Sequence, residues 1–170
     1  NTLATQMLPI ASPNHAAFKT VRVHEVLDHS LRLLHPQISG KLITLRKNFN
    51  AANDAVQGDD AQLQQVFMNL LINAVEAMGP NGTLTVTTET AESDGAAHVL
   101  KIQIQDTGVG IKPENVERLF EPFFTTKKNG TGLGLAISHR IMQEHRGVIQ
   151  VQSEPGKSSV FSLSLPAFTA

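Results

Sequence analysis

The sequence predicts an α+β fold: a two-layer α/β sandwich in which a mixed, mostly antiparallel sheet of about five strands is faced on one side by three helices. Three observations predict it. Residues 83–88 and 98–106 alternate apolar with polar around a loop holding Asp94-Gly95, and residues 148–153 and 158–165 do so around Pro155-Gly156. Three longer stretches, 23–34, 60–78 and 133–145, carry apolar residues at helical spacing. At 170 residues the chain has the length of one domain with a core of its own.

Taken in order, residues 1–19 are rich in Ala, Pro, Asn and Ser without a sustained period, which reads as a linker. Val23, Val26, Leu27, Leu31 and Leu34 mark a first helix that Pro36 should end. Residues 42–49 alternate as a strand. Asp59 and Gln62 have the spacing of a capping box, and Leu63, Val66, Phe67, Leu70, Leu71, Ala74, Val75 and Met78 form one apolar face behind it. Gly79-Pro80 should stop that helix. After the first hairpin, residues 107–131 form a Gly-rich, lid-like segment. A helix over 133–145 should follow, with basic residues in its last turn and Gly147 just beyond.

Composition narrows the function. Lys and Arg (14) nearly balance Asp and Glu (15), for a net charge of −1, which argues against nucleic acid or an anionic membrane as partner. Cysteine is absent, which excludes disulfides and thiolate metal sites. No apolar run is long enough to cross a bilayer. The chain opens on Asn1 rather than Met, which reads as an excised fragment whose anchor or sensor, if it has one, lies upstream.

Four stretches carry chemistry. Asn69 and Asn73 lie one turn apart on the capped helix, extended by Gln65 and Glu76 into a polar stripe. Asn costs about 0.6 kcal/mol against Ala in a helix, and its carboxamide oxygen suits Mg²⁺, although a solvated face has the same pattern. In Asp106-Thr107-Gly108-Val109-Gly110-Ile111, Asp106 is in phase with the apolar Leu100, Ile102 and Ile104. A carboxylate aimed at the apolar side needs a donor there, such as an adenine amino group, and Gly108 and Gly110 would let the backbone approach a flat base. Phe120, Phe123 and Phe124 sit among loop residues, as lid anchors or as a hinge. Gly130-Thr131-Gly132-Leu133-Gly134-Leu135 opens a helix whose free amides suit phosphate. Its spacing is wrong for a dinucleotide fingerprint, and Gly156-Lys157-Ser158 lacks the earlier glycine of a P-loop.

In this order the four stretches resemble the N, G1, F and G2 boxes of two-component sensor histidine kinases of the GHKL superfamily. Phe120-Glu121-Pro122-Phe123-Phe124-Thr125-Thr126-Lys127 is most similar to the nitrogen-regulation type. The resemblance implies a Bergerat-type ATP-binding fold over residues 20–170, with 1–19 a linker or the end of a dimerisation helix. It makes Asn73 the Mg²⁺ ligand, Asn69 its neighbour at the phosphates and Asp106 the adenine reader. It makes Gly108, Gly110, Ile111, Phe124, Thr125, Thr126, Gly130, Thr131, Gly132, Leu133, Gly134 and Leu135 contacts to ATP. Lys127 would reach the terminal phosphate and, with Asn69, count as catalytic. The implied partners are a dimerisation and histidine-phosphotransfer domain of the same parent and, indirectly, a response-regulator receiver domain, in the cytoplasm, without nucleic acid or direct membrane contact. Related ATPases place a water-activating Glu where Asn69 stands, so phosphoryl transfer is favoured over a stand-alone ATPase or a nucleotide-sensing module. No acceptor histidine in the family's setting is present; His24-Glu25 comes nearest.

Overall fold

Period-two burial builds the sheet. Along β5 (His98–Asp106), Leu100, Ile102, Ile104 and Asp106 are buried while the residues between them are half-buried or exposed. β7 (Ser158–Pro166) repeats the pattern with Ser159, Phe161, Leu163 and Leu165, and β4 (Thr83–Glu92) with Leu84, Val86 and Thr88. The computed structural model describes residues 18–92, 98–125 and 133–169. Adding β2 (Thr44–Phe49) and β6 (Val148–Glu154) gives one five-stranded sheet in the order β2-β4-β5-β7-β6. Only the β2–β4 pair is parallel, so the sheet is mixed and mostly antiparallel, as expected.

The apolar face packs against α1 (Val23–Leu33), α3 (Asp60–Ala77) and α5 (Gly134–Glu144). α3 supplies the centre of the core, with Leu63, Val66, Phe67, Leu70, Leu71, Ala74 and Val75 buried. Each fully buried Leu or Phe there stabilises the fold by about 1.5–3 kcal/mol. None of the helices among the described residues is long and apolar enough to cross a membrane.

The sequence missed a second, two-stranded sheet. β1 (Lys19–Arg22) pairs antiparallel with β3 (Ala55–Gly58), so β1 begins at Lys19, inside the stretch expected as linker. Pro36 does not end the helical region. It occupies the first turn of a short α2 (His35–Gly40), where its missing N–H costs nothing.

The ends of α3 and α5 are fixed by contacts that composition hides. Asp59 caps α3 by accepting from the Gln62 amide at 3.1 Å, as expected. The other half of the capping box is replaced: the Asp59 amide donates to His145 Nε2 at 3.0 Å, while His145 Nδ1 donates to the Ile141 carbonyl at 2.9 Å. These partners place the imidazole proton on Nδ1 and tie the start of α3 to the end of α5. α3 stops through an extended Met78, not a left-handed glycine. Lys41 Nζ donates to the carbonyls of Val75 and Met78, both at 2.9 Å. Replacing Lys41 by Met keeps the stem and removes this charged cap. Lys41→Met is expected to lower unfolding stability by about 1–2 kcal/mol, read as a drop in the urea midpoint. An unchanged midpoint would reduce the cap to a surface contact.

α5 has no basic residue in its last turn, contrary to expectation. Its end is a Schellman motif with Arg146 (φ 60) in the left-handed position: Gly147 N donates to Met142 O and Arg146 N to Gln143 O. Gly147 is needed for another reason, since a Cβ there would sit 2.5 Å from the Ser164 carbonyl.

Candidate functional site

β5 delivers Asp106 to the apolar side of the sheet, where it is 2% exposed. Oδ1 accepts from the Gly108 amide at 2.8 Å, and among the described residues nothing donates to Oδ2. Burial pushes this carboxyl above its ordinary value, and the Gly108 hydrogen bond pulls it part of the way back. The buried acceptor therefore stands half satisfied, open to one more donor.

The following loop is wedged between α3 and the β6–β7 hairpin. A Cβ on Gly108 would lie 2.3 Å from the Ala77 carbonyl, and Gly110 (φ +73) would meet the Glu154 carbonyl at 2.3 Å. The approaches that demand glycine here are thus to the protein's own backbone, not only to a bound base as the sequence suggested. Val109 N donates to Ala77 O at 3.1 Å, and Gly156 N donates to Val109 O at 2.6 Å. Ile111 N donates to Ser153 Oγ at 2.7 Å. The sequence marked the hairpin turn at Pro155-Gly156 but carried no sign that its tip reaches this loop.

α3 and α5 meet through Asn69. Its Nδ2 donates to the Gly134 carbonyl at 3.1 Å and to Ser138 Oγ at 3.2 Å, which leaves the carboxamide oxygen over. Asn73, half-buried one turn on, makes no side-chain hydrogen bond among the described residues. Two neutral oxygens on one helix face fit a Mg²⁺ that arrives with phosphate ligands of its own. The described residues contain no cluster of three or more His, Asp or Glu that would hold a metal without them.

The F-box phenylalanines divide. Phe120 stacks on His139 with ring centroids 5.2 Å apart, and Phe124 packs on the core under the Arg118 guanidinium at 4.5 Å. Phe123 is 74% exposed with φ 69, so it serves as no anchor among the described residues. Ile111 and Leu135 pack against the core, Leu133 is the N-cap residue of α5, Gly134 begins that helix and Thr125 is exposed. Thr126, Lys127, Gly130, Thr131 and Gly132 lie outside the described residues.

A two-layer sandwich with a buried, half-satisfied carboxylate at a strand end and an asparagine stripe on the central helix defines an α+β domain with a candidate ligand site. The chain belongs to the family described as histidine kinase-, DNA gyrase B-, and HSP90-like ATPase, which residues 58–169 match. It is 39% identical over 166 residues to the sensor histidine kinase ZraS of Escherichia coli (strain K12), covering 98% of this chain and 35% of that protein. The chain thus spans about a third of the length of that relative. Among solved structures, the catalytic domain of histidine kinase ThkA superposes with a TM-score of 0.78 at 30% identity, covering 88% of this chain and 95% of that one. ThkA in complex with the response regulator protein TrrA superposes at 0.74, with 28% identity over 89% of this chain and 42% of that one.

Proposed function

We propose that this domain binds ATP with Mg²⁺ and donates the γ-phosphoryl group to a histidine on a separate dimerisation domain of the same parent protein, the residues ahead of β1 being the linker toward it. The observation that carries the reading is Oδ2 of the buried Asp106, to which nothing among the described residues donates, an acceptor suited to the exocyclic amine of adenine. Guanine presents a carbonyl there, so GTP is disfavoured. Asn73 would hold the metal, with the spare carboxamide oxygen of Asn69 beside it at the phosphates; Mg²⁺, when bound, would neutralise charge on the phosphates during transfer. The loop from Gly108 to Ile111 lines the base, while Leu133, Gly134 and Leu135 bring the α5 N-terminus toward the phosphates.

Transfer is preferred to hydrolysis because Asn69 cannot take a proton from water, and both its N–H donors already hold α5 in place. The likeness to ZraS and to ThkA with its response regulator supports a two-component role, with a receiver domain as the onward acceptor. A need for ATP supports a cytoplasmic location for the domain.

Metal dependence tests the assignment. Asn73→Ala is expected to weaken ATP binding about tenfold or more in Mg²⁺ and hardly at all in EDTA, as measured by calorimetric titration. An equal loss with and without Mg²⁺ would make Asn73 a packing residue.

A further inference from the structure

We infer that Ser153, on edge strand β6, is a positioning residue for the nucleotide site: it holds the Gly108–Ile111 loop in its binding shape from the far side. The inference rests on the reading of that loop as the wall of the adenine pocket.

The Ser153 hydroxyl is used to its full capacity. Its single proton goes to the Ser158 carbonyl at 2.9 Å. Of its two lone pairs, one accepts from the Ile111 amide at 2.7 Å. The other faces Ser159 Oγ at 3.1 Å, and because the Ser153 proton is committed, Ser159 is the donor. Ser153 and Ser159 are direct partners across β6 and β7, and Ser159 in turn is the register partner of Asp106 on β5. One row of the sheet thus runs from the carboxylate to the hydroxyl that grips the loop. Two further contacts come from the same hairpin: Gly156 N on the Val109 carbonyl, and the Glu154 carbonyl closing on Gly110.

The loop has no regular structure to hold it between Asp106 and α4 (Pro113–Val116). Without Ser153, the Ile111 amide loses its partner and the loop spends part of its time in other arrangements. Apparent affinity falls in proportion to the competent fraction. Because Ser153 acts at the base end, the loss is independent of metal, unlike that expected for Asn73→Ala.

Three variants of the domain test this: wild type, Ser153→Ala and Ser153→Thr, which restores a hydroxyl in a strand that favours β-branching. In the nucleotide-free domain, the Ile111 amide is expected to exchange its hydrogen about tenfold faster in Ser153→Ala and at the wild-type rate in Ser153→Thr. ATP is expected to bind about three- to tenfold more weakly to the Ala variant, by the same factor in Mg²⁺ and in EDTA, and nearly normally to the Thr variant. Unchanged Ile111 exchange together with unchanged ATP affinity in Ser153→Ala overturns the inference, whatever happens to the melting temperature. Were the Ala variant not to fold, an unprotected Ile111 amide in the wild type would overturn it equally. A wild-type domain that protects Ile111 yet binds no ATP would instead sink the functional reading and leave the clamp standing.

Discussion

Asp106→Asn is expected to weaken ATP binding at least tenfold while making the nucleotide-free domain more stable at neutral pH. Both effects follow from the same buried group. Oδ1 accepts from the Gly108 amide, so an asparagine must keep its oxygen there and turn its NH₂ toward the position of Oδ2. That places a donor against the adenine amine where the wild type has an acceptor. The lost charge-assisted hydrogen bond corresponds to roughly 1.5–3 kcal/mol. Stability moves the other way because burial raises the Asp106 pKa above 3.8. In the folded domain the carboxyl then holds its proton to higher pH than in the unfolded chain. Its stabilising contribution is complete below the unfolded value and is lost as pH rises through the folded one. As the pH rises and the carboxyl ionises, the wild type comes to carry a buried carboxylate short of partners, which the neutral amide relieves. The melting temperature of Asp106→Asn should exceed that of the wild type at pH 7, with the gap narrowing as the pH is lowered toward 4. Equal ATP affinity would remove Asp106 from the site, and a gap that widens on acidification would contradict the burial argument.

The position of Asp106 was legible because alternation held over the nine residues of β5, long enough for the phase to predict which face the last residue takes. α3 was legible for a similar reason, with 18 residues, a side-chain cap and a continuous apolar face. β1 and β3 were not, because four residues each give too few alternations to separate a strand from a loop. Local rules also misjudged how helices end. Lys41 reaches α3 from 34 residues away in sequence, and the left-handed residue after α5 is Arg146 although a glycine stands next to it. The candidate site divides along the same line. Asp106, Asn69 and Asn73 could be singled out as candidates because each sits on a regular element whose period places it. Ser153 could not, since the loop it holds belongs to another strand pair and only the β5–β7–β6 register brings them together. The glycines were found for a reason that proved incomplete: their small size serves Ala77 and Glu154 as well as any ligand.

Incubated alone with γ-labelled ATP, the domain is expected to acquire almost no label, and addition of the parent's dimerisation domain is expected to place acid-labile, base-stable phosphate on that added domain. Transfer needs a nucleophile aligned with the terminal phosphate, and positioning supplies most of the rate. Two histidines of this chain are committed elsewhere. His145 is 4% exposed, with Nδ1 on the Ile141 carbonyl and Nε2 on the Asp59 amide. His24 has Nε2 2.7 Å from Thr88 Oγ1 and Nδ1 3.5 Å from Asp54, whose side chain is 7% exposed and also meets Arg22. It stacks on Phe49 as well, so turning it toward a phosphate would break three contacts at once. Water is no better served, because Asn69 offers a carboxamide where hydrolysis would need a base. With neither nucleophile in place, bound ATP should persist. A domain that releases inorganic phosphate steadily on its own would be acting as an ATPase, and efficient labelling mapped to His24 would mean that donor and acceptor share this one chain; either result would overturn the proposed division of labour.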